Sequence, residues 1–184
     1  MHWVVERILV GRPDRQTISK YANGADRFLG VVLLASAALL GVAITQPILT
    51  SFGFMGLNGS FSLVSGMAEF LKGGQGGIAL LIAVFTILLP IMLLSTAFEL
   101  WYKYELSDTK FVRKANLLRH FGRLWFLSFF TVVFAIYFTE QSDTGTILHI
   151  TGYYLIVSLA LQKLVAARIQ PLINAVKFVE EVED

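Results

Sequence analysis

The sequence predicts an all-α integral membrane protein, a four-helix bundle with short interfacial helices. Of its 184 residues, 55% are hydrophobic. Long stretches carry almost no ionisable side chain, and nearly all lysines and arginines lie between them. A hydrocarbon layer of roughly 30 Å is crossed by about 20 helical residues. Backbone amides must be paired within lipid, so each apolar stretch is expected to be a helix.

Four stretches are long and apolar enough to cross a membrane. The first two carry no charged residue, and the third holds only Arg123, whose long side chain can reach the headgroups from near the start of the span. The fourth holds His149 near its beginning and Lys163 near its end. The predicted spans are residues 28–49, 77–98, 121–139 and 144–166.

The distribution of basic residues predicts the orientation of these spans. Five basic residues precede the first span and five lie between the second and third, whereas the other two connections hold one and none. Lysine and arginine are enriched on the cytoplasmic side. We therefore expect a multi-pass protein of the bacterial inner (cytoplasmic) membrane with both termini in the cytoplasm. Its parts are a cytoplasmic N-terminal segment suited to the interface (1–26), a transmembrane domain (27–169) and an amphipathic C-terminal segment (170–184).

Two further helices are predicted outside the spans. In the first outer loop, Leu63, Met67 and Phe70 recur at helical spacing, and Gly73-Gly74 follows as a stop signal. This amphipathic helix is a candidate contact for a partner protein. Pro171 is suited to the first turn of a helix and is expected to begin the second one.

The composition excludes several kinds of chemistry. The chain has no cysteine, which excludes disulfides, thiolate nucleophiles and cysteine-bound metals. Its three histidines lie on different segments, so they predict no metal site. The basic residues flank the spans without forming a patch, and no nucleic-acid partner is expected. No paired carboxylates occur in the spans. We expect a protein that is not an enzyme and needs no cofactor.

Candidate structural or path residues lie where helices bend or end. Pro90 lies deep in the second span, where its missing N–H predicts a kink that either shapes the bundle or opens a substrate path. Pro47 marks a bend at the outer end of the first span. Glu99 follows the second span and either pairs with Arg119 or Arg123 or stands alone at the membrane surface.

Several short motifs follow one another in a recognisable order. They are Pro47, Ser62-Leu63-Val64-Ser65-Gly66, Gly76-Gly77, Leu89-Pro90, Gly122-Arg123-Leu124-Trp125 and Gly152-Tyr153-Tyr154. In this order they resemble one transmembrane half of the paraquat-inducible protein A family, over about residues 20–170. Members with two halves usually carry cysteine-rich zinc ribbons, which this chain lacks.

This resemblance implies a role in envelope lipid transport, beside periplasmic mammalian-cell-entry proteins that form hydrophobic tunnels. The bundle would pass or load a membrane lipid, with Pro90 and Gly122-Arg123 shaping the path and the outer helix meeting the partner. The residues alone leave an alternative open. In this alternative, the chain is a non-catalytic accessory or structural subunit of a larger respiratory, photosynthetic or transport complex.

Overall fold

The computed structural model describes residues 16–53, 57–141 and 145–183, so the expectation for the first residues of the chain lies outside it. Within these residues, four helices are long and apolar enough to cross a membrane. They confirm the predicted all-α membrane class. The spanning helices are Gly24–Thr45, Gly76–Lys103, Thr109–Tyr137 and Ile150–Ala175.

The first spanning helix is reached through two short helical turns. Helix α1 is Ile18–Tyr21, a 3-10 turn covers Gly24–Phe28, and helix α2 covers Leu29–Thr45. Pro47 follows the last turn, and the residue before a proline disfavours helical backbone. The sequence-predicted bend at this proline therefore coincides with the end of α2.

The second spanning helix changes its winding before Pro90. Helix α4 (Gly76–Ile82) continues into a π-helical turn (Ala83–Leu88) and then into helix α5 (Leu89–Phe98). Proline has no N–H to donate to the carbonyl four residues earlier, so a regular α-helical ladder cannot continue through it. A π turn therefore ends immediately before the helix that contains Pro90, and the predicted kink itself stays a prediction. A second π turn, Glu99–Lys103, ends the helix.

The third spanning helix, α6 (Thr109–Glu140), begins well before the predicted start of the span. Asp108 accounts for this start, because its Oδ1 accepts a hydrogen bond of 2.8 Å from the N–H of Lys110 in the first turn. The fourth, α7 (Ile150–Glu183), continues without a break through Pro171. The prediction of a separate helix beginning at Pro171 was wrong.

A small antiparallel sheet, which the sequence did not predict, connects the two loops. Strand β1 (Leu49–Phe52) lies between β2 (Asn58–Phe61) and β3 (Ile147–Leu148). Residue Leu49 of β1 is aligned with Phe61 on one side and with Leu148 on the other. Because β3 occupies residues predicted to open the fourth span, α7 begins later than expected.

Helix α3 (Leu63–Lys72) is the predicted amphipathic helix of the first loop. Ser62 and Ser65 form a reciprocal cap, in which each side chain accepts a hydrogen bond from the other residue's backbone N–H. The helix ends at Gly73, whose N–H donates to the carbonyl of Glu69. The predicted stop signal at Gly73-Gly74 is confirmed.

The chain forms two compact units, and each spanning helix contributes to both. Among the described residues, unit 1 comprises 16–35, 92–123 and 161–183, and unit 2 comprises 36–53, 57–91, 124–141 and 145–160. In the described part of unit 1, large side chains such as Trp101, Phe111, Leu118 and Ile169 are fully buried. In unit 2, Leu57, Phe70 and Ala79 form a buried cluster with Phe61, Met67, Ile78 and Ile82 packed against it.

Candidate functional site: an apolar cavity in unit 2

Unit 2 contains a partly open cavity of about 530 Å³. Its walls come from the sheet, α3, α4 with the following π turn, and the parts of α6 and α7 that belong to this unit. Apart from a few hydroxyl groups, the lining side chains are hydrocarbon or thioether. Representative residues, one or two from each wall, are Leu49, Leu148, Met67, Ile82, Val132 and Leu155.

The hydroxyl groups of the lining are engaged within their own helices. Thr86, Thr131 and Thr139 each donate to the backbone carbonyl four residues earlier, at 2.7, 2.7 and 2.6 Å. Ser62 accepts a hydrogen bond of 3.2 Å from the backbone N–H of Ser65 as part of the helix cap. The three threonine donors are already used, so the cavity offers an occupant apolar contact and little hydrogen bonding.

Hydrogen bonds between polar side chains connect the strands of the sheet. His149 Nε2 lies 2.8 Å from Thr50 Oγ1, which lies 2.6 Å from Ser60 Oγ. Thr151 donates a hydrogen bond of 2.5 Å to the carbonyl oxygen of Pro47. The predicted bend residue therefore helps to fix the end of α2 to the beginning of α7.

A polar concavity adjoins the apolar cavity in the same unit. Leu57, Phe61 and Phe70 line both spaces. The polar concavity is also lined by Asn58, Glu69, Lys72, Gly73 and Gln75. The two spaces therefore share three apolar lining residues. Their other lining side chains differ, being mainly apolar in the cavity and mainly polar or charged in the concavity.

Four of the sequence-predicted residues line the apolar cavity. They are Leu63, Met67 and Phe70 on α3 and Gly152 at the beginning of α7. A Cβ atom on Gly152 would lie 3.0 Å from Leu148 Cδ1, so the glycine allows α7 to approach β3 closely. The three α3 residues were predicted as a partner contact. Their side chains line the cavity within the unit, where Leu63 and Met67 are half-buried and Phe70 is buried. The partner contact itself stays a prediction.

A comparison with protein-family models gives one match. The model described as Paraquat-inducible protein A matches residues 29–172, well over half of the chain. The chain belongs to the paraquat-inducible protein A family. The searches of curated proteins and of solved structures gave no match.

In this paraquat-inducible protein A family member, Gly122 and Arg123 lie in unit 1 and Trp125 lies in unit 2. The Gly122 carbonyl accepts a hydrogen bond of 3.1 Å from Lys163 Nζ, and a Cβ atom there would lie 3.7 Å from Ala166 Cβ. Arg123 is exposed. Trp125 Nε1 donates a hydrogen bond of 2.6 Å to the Leu159 carbonyl. Gly122 and Trp125 therefore connect α6 to α7.

Glu99 of this family member makes ion pairs that the sequence did not identify. It was expected to pair with Arg119 or Arg123 or to stand alone. The structure pairs it with Lys114 of α6 and, at 3.8 Å, with Lys103 one turn later on its own helix. The early start of α6 brings Lys114 within reach, which explains the difference. Like Gly122 and Arg123, Glu99 belongs to unit 1 and does not line the cavity.

Sequence reasoning missed the cavity residues supplied by the sheet, among them Ile48, Leu49, Phe61 and Leu148. Gly53 and Gly59 have positive φ angles of 113° and 122°. Glycine readily adopts such angles and is typical of turns and strand ends. In the sequence, these two glycines of the first loop could have indicated the turn between β1 and β2. Among the described residues, no group of three or more His, Asp or Glu side chains is placed to hold a metal ion.

Proposed function

We propose that this protein is the membrane component of an envelope lipid-transport system and that its apolar cavity holds a lipid hydrocarbon chain. The observation that carries the proposal is the cavity of about 530 Å³ whose hydroxyl donors are satisfied within their own helices. Pockets for small molecules span roughly 300–1,000 Å³. A hydrocarbon chain needs such a space and makes no hydrogen bonds.

The same lining supports a non-catalytic role. Intramembrane catalysis normally requires ionisable side chains that face the interior of the bundle. The residues lining the described cavity include no Asp, Glu, His, Lys or Arg. We infer that the protein binds and passes a lipid without changing it chemically. Energy for directional transport would come from elsewhere, and a periplasmic tunnel-forming protein of the mammalian-cell-entry type is the proposed partner in lipid transfer.

The proposed location is the bacterial inner membrane with both termini in the cytoplasm. Basic side chains cluster between the second and third predicted apolar stretches (77–98 and 121–139), including Lys103, Lys110, Arg113 and Lys114. The loop that holds β1, β2 and α3 carries Lys72 alone, and the loop that holds β3 carries no basic residue. The positive-inside tendency therefore supports an outer location for the sheet and the cavity.

Photo-crosslinking tests whether a hydrocarbon chain enters the cavity. The full chain in membranes is given a fatty acid that carries a diazirine on its chain, and labelled peptides are identified by mass spectrometry. We expect labels on cavity-lining peptides of α3 and α6. Gly66→Trp should lower this labelling about tenfold, which corresponds to ~1.4 kcal/mol, because the indole occupies the cavity.

Gly41→Trp is the matched control. Gly41 lies in the same unit on α2 and does not line the cavity, and a Cβ atom there would have no neighbouring atom within 4 Å. This variant should label like the wild type. Labelling that is equal in both tryptophan variants, or that falls only on lipid-facing peptides, contradicts the proposal.

Mass spectrometry of the proteins that copurify in mild detergent tests the partner. Recovery of a periplasmic tunnel-forming protein supports lipid transport. Stoichiometric recovery of an energy-converting complex, together with no cavity labelling, supports the accessory-subunit alternative instead.

A further inference from the structure

The polar concavity beside the cavity has a composition suited to a lipid head group. Its ionisable lining residues are Lys72 and Glu69, and the amides of Asn58 and Gln75 add hydrogen-bonding groups. The concavity therefore combines one positive charge and one negative charge with neutral amides. Its net charge of zero matches a head group that carries both signs.

The arrangement of the two spaces matches the two parts of a phospholipid. The apolar and the polar space share a wall, since both are lined by Leu57, Phe61 and Phe70. A molecule that extends around this wall would place hydrocarbon against the apolar lining and a polar group beside Lys72. The carboxylate of a fatty acid would match Lys72 alone and would leave Glu69 without a ligand group of opposite charge.

The charged pair is accessible to a ligand. Lys72 Nζ lies 2.6 Å from Glu69 Oε1, and the two side chains are 72% and 41% exposed. Exposed pairs of this kind on a helix contribute little to stability. Both groups can therefore exchange their mutual contact for contacts with a ligand. Glu69 also lowers the attraction of the site for a purely anionic head group.

We propose that this concavity binds the head group of a zwitterionic phospholipid whose hydrocarbon chain lies in the apolar cavity. The ammonium of Lys72 binds the phosphate, and the carboxylate of Glu69 binds the ammonium of the head group. Charge-assisted hydrogen bonds of this type are stronger than neutral ones. This inference rests on the proposed function, since it assumes that the cavity holds a lipid chain.

Native mass spectrometry of the full chain in mild detergent tests the proposed selectivity. The probes are lysophosphatidylethanolamine, lysophosphatidylglycerol and oleic acid, all with the same oleoyl chain. The wild type should retain the ethanolamine lipid roughly three- to tenfold more than the glycerol lipid, since tenfold corresponds to 1.4 kcal/mol. Lys72→Gln should lower the retention of both phospholipids, and that of the glycerol lipid more strongly, because Glu69 then remains as the ionisable group of the described lining.

Glu69→Gln makes the sharper prediction because it should reverse the order. Removing the carboxylate leaves Lys72 as the ionisable group of the described lining, so the site should favour the anionic glycerol lipid. A folding defect would lower binding of all three probes together. Lys110→Gln, an exposed lysine of unit 1 outside both linings, should keep the wild-type order.

The outcomes separate this inference from the proposed function. If the diazirine fatty acid labels the cavity but the lipid preference is the same in wild type, Lys72→Gln and Glu69→Gln, the head-group site is wrong and the hydrocarbon site stands. A wild-type preference for the glycerol lipid also overturns the head-group site. If no probe binds and no cavity peptide is labelled, the proposed function fails.

Discussion

Unit 1 and unit 2 differ in how their interiors are filled. In unit 1, Trp101, Phe111 and Leu118 are fully buried, and a Cβ atom on Gly30 would lie 2.9 Å from Trp101 Nε1 and closer still to Tyr102 Oη. In unit 2, the walls surround about 530 Å³ of space. Protein interiors are normally packed as densely as organic crystals. Space of this size is therefore expected where a ligand enters and leaves.

Shortening a leucine should affect the two units differently. Leu118 of unit 1 is fully buried, and Leu118→Ala should lower the free energy of unfolding by about 2–5 kcal/mol, because it creates a new cavity. Leu63 already borders the existing cavity, so Leu63→Ala should cost less than about 2 kcal/mol. Denaturant unfolding in detergent measures both. If both variants lose the same free energy of unfolding, side chains of this chain fill the cavity in solution, which contradicts the described packing.

Enlarging a glycine gives the converse test. Gly30→Leu should destabilise the protein by about 1–3 kcal/mol, because the new side chain meets Trp101 and Tyr102. At Gly66, a Cβ atom would meet Phe61 Cβ at an ordinary 3.6 Å, and the added leucine faces the cavity. Gly66→Leu should therefore change stability by no more than about 1 kcal/mol. The same unfolding assay compares the two, and a larger loss at Gly66 would contradict the described packing.

A third test compares the polar contacts of the two units. The first of these contacts is the serine pair of unit 2. Ser36 Oγ donates to the Ser158 carbonyl at 3.0 Å, and Ser158 Oγ donates to the Ser36 carbonyl at 2.8 Å. Hydrogen bonds between membrane helices couple by about 0.6–1.7 kcal/mol in double-mutant cycles. The cycle of Ser36→Ala and Ser158→Ala should give a coupling in this range. Strictly additive losses would show that the contact contributes nothing.

The smallest expected effects concern the ion pairs of Glu99 in unit 1. The Lys114 side chain is 30% exposed and contacts Glu99 directly, whereas that of Lys103 is 62% exposed and 3.8 Å away. Exposed pairs contribute about 0–1 kcal/mol. Lys114→Met should therefore lower stability by up to about 1 kcal/mol and Lys103→Met by less. The difference should shrink in high salt, and a reversed order would mean that Lys103 is the main partner.

The spans and α3 were predictable because their signals are local. Absence of charge over residues 28–49 and 77–98 is sufficient to identify a membrane helix. The spacing of Leu63, Met67 and Phe70, followed by two glycines, likewise identifies an amphipathic helix and its end. Each of these features is encoded within a short stretch of the chain.

The sheet and the cavity were not predictable because they depend on contacts between distant segments. The strands have four, four and two residues, too few for an alternating pattern to identify them. The partner of Glu99 depended on where α6 begins, which the cap at Asp108 could have indicated. Pro171 misled the interpretation, since a favourable residue for a first turn does not require that a helix begin there.

The position of β1 in the middle of the sheet has a consequence for how the chain is made. Its pairing with β2 is local, whereas Thr50 and the β3-flanking His149 are 99 residues apart. During synthesis, β1 can pair with β2 once the first loop has emerged, but its other edge stays open until the last two helices are inserted. An open edge is a site for wrong pairing. The cavity is therefore complete only after the last two helices have been inserted, because both of them and β3 supply part of its lining.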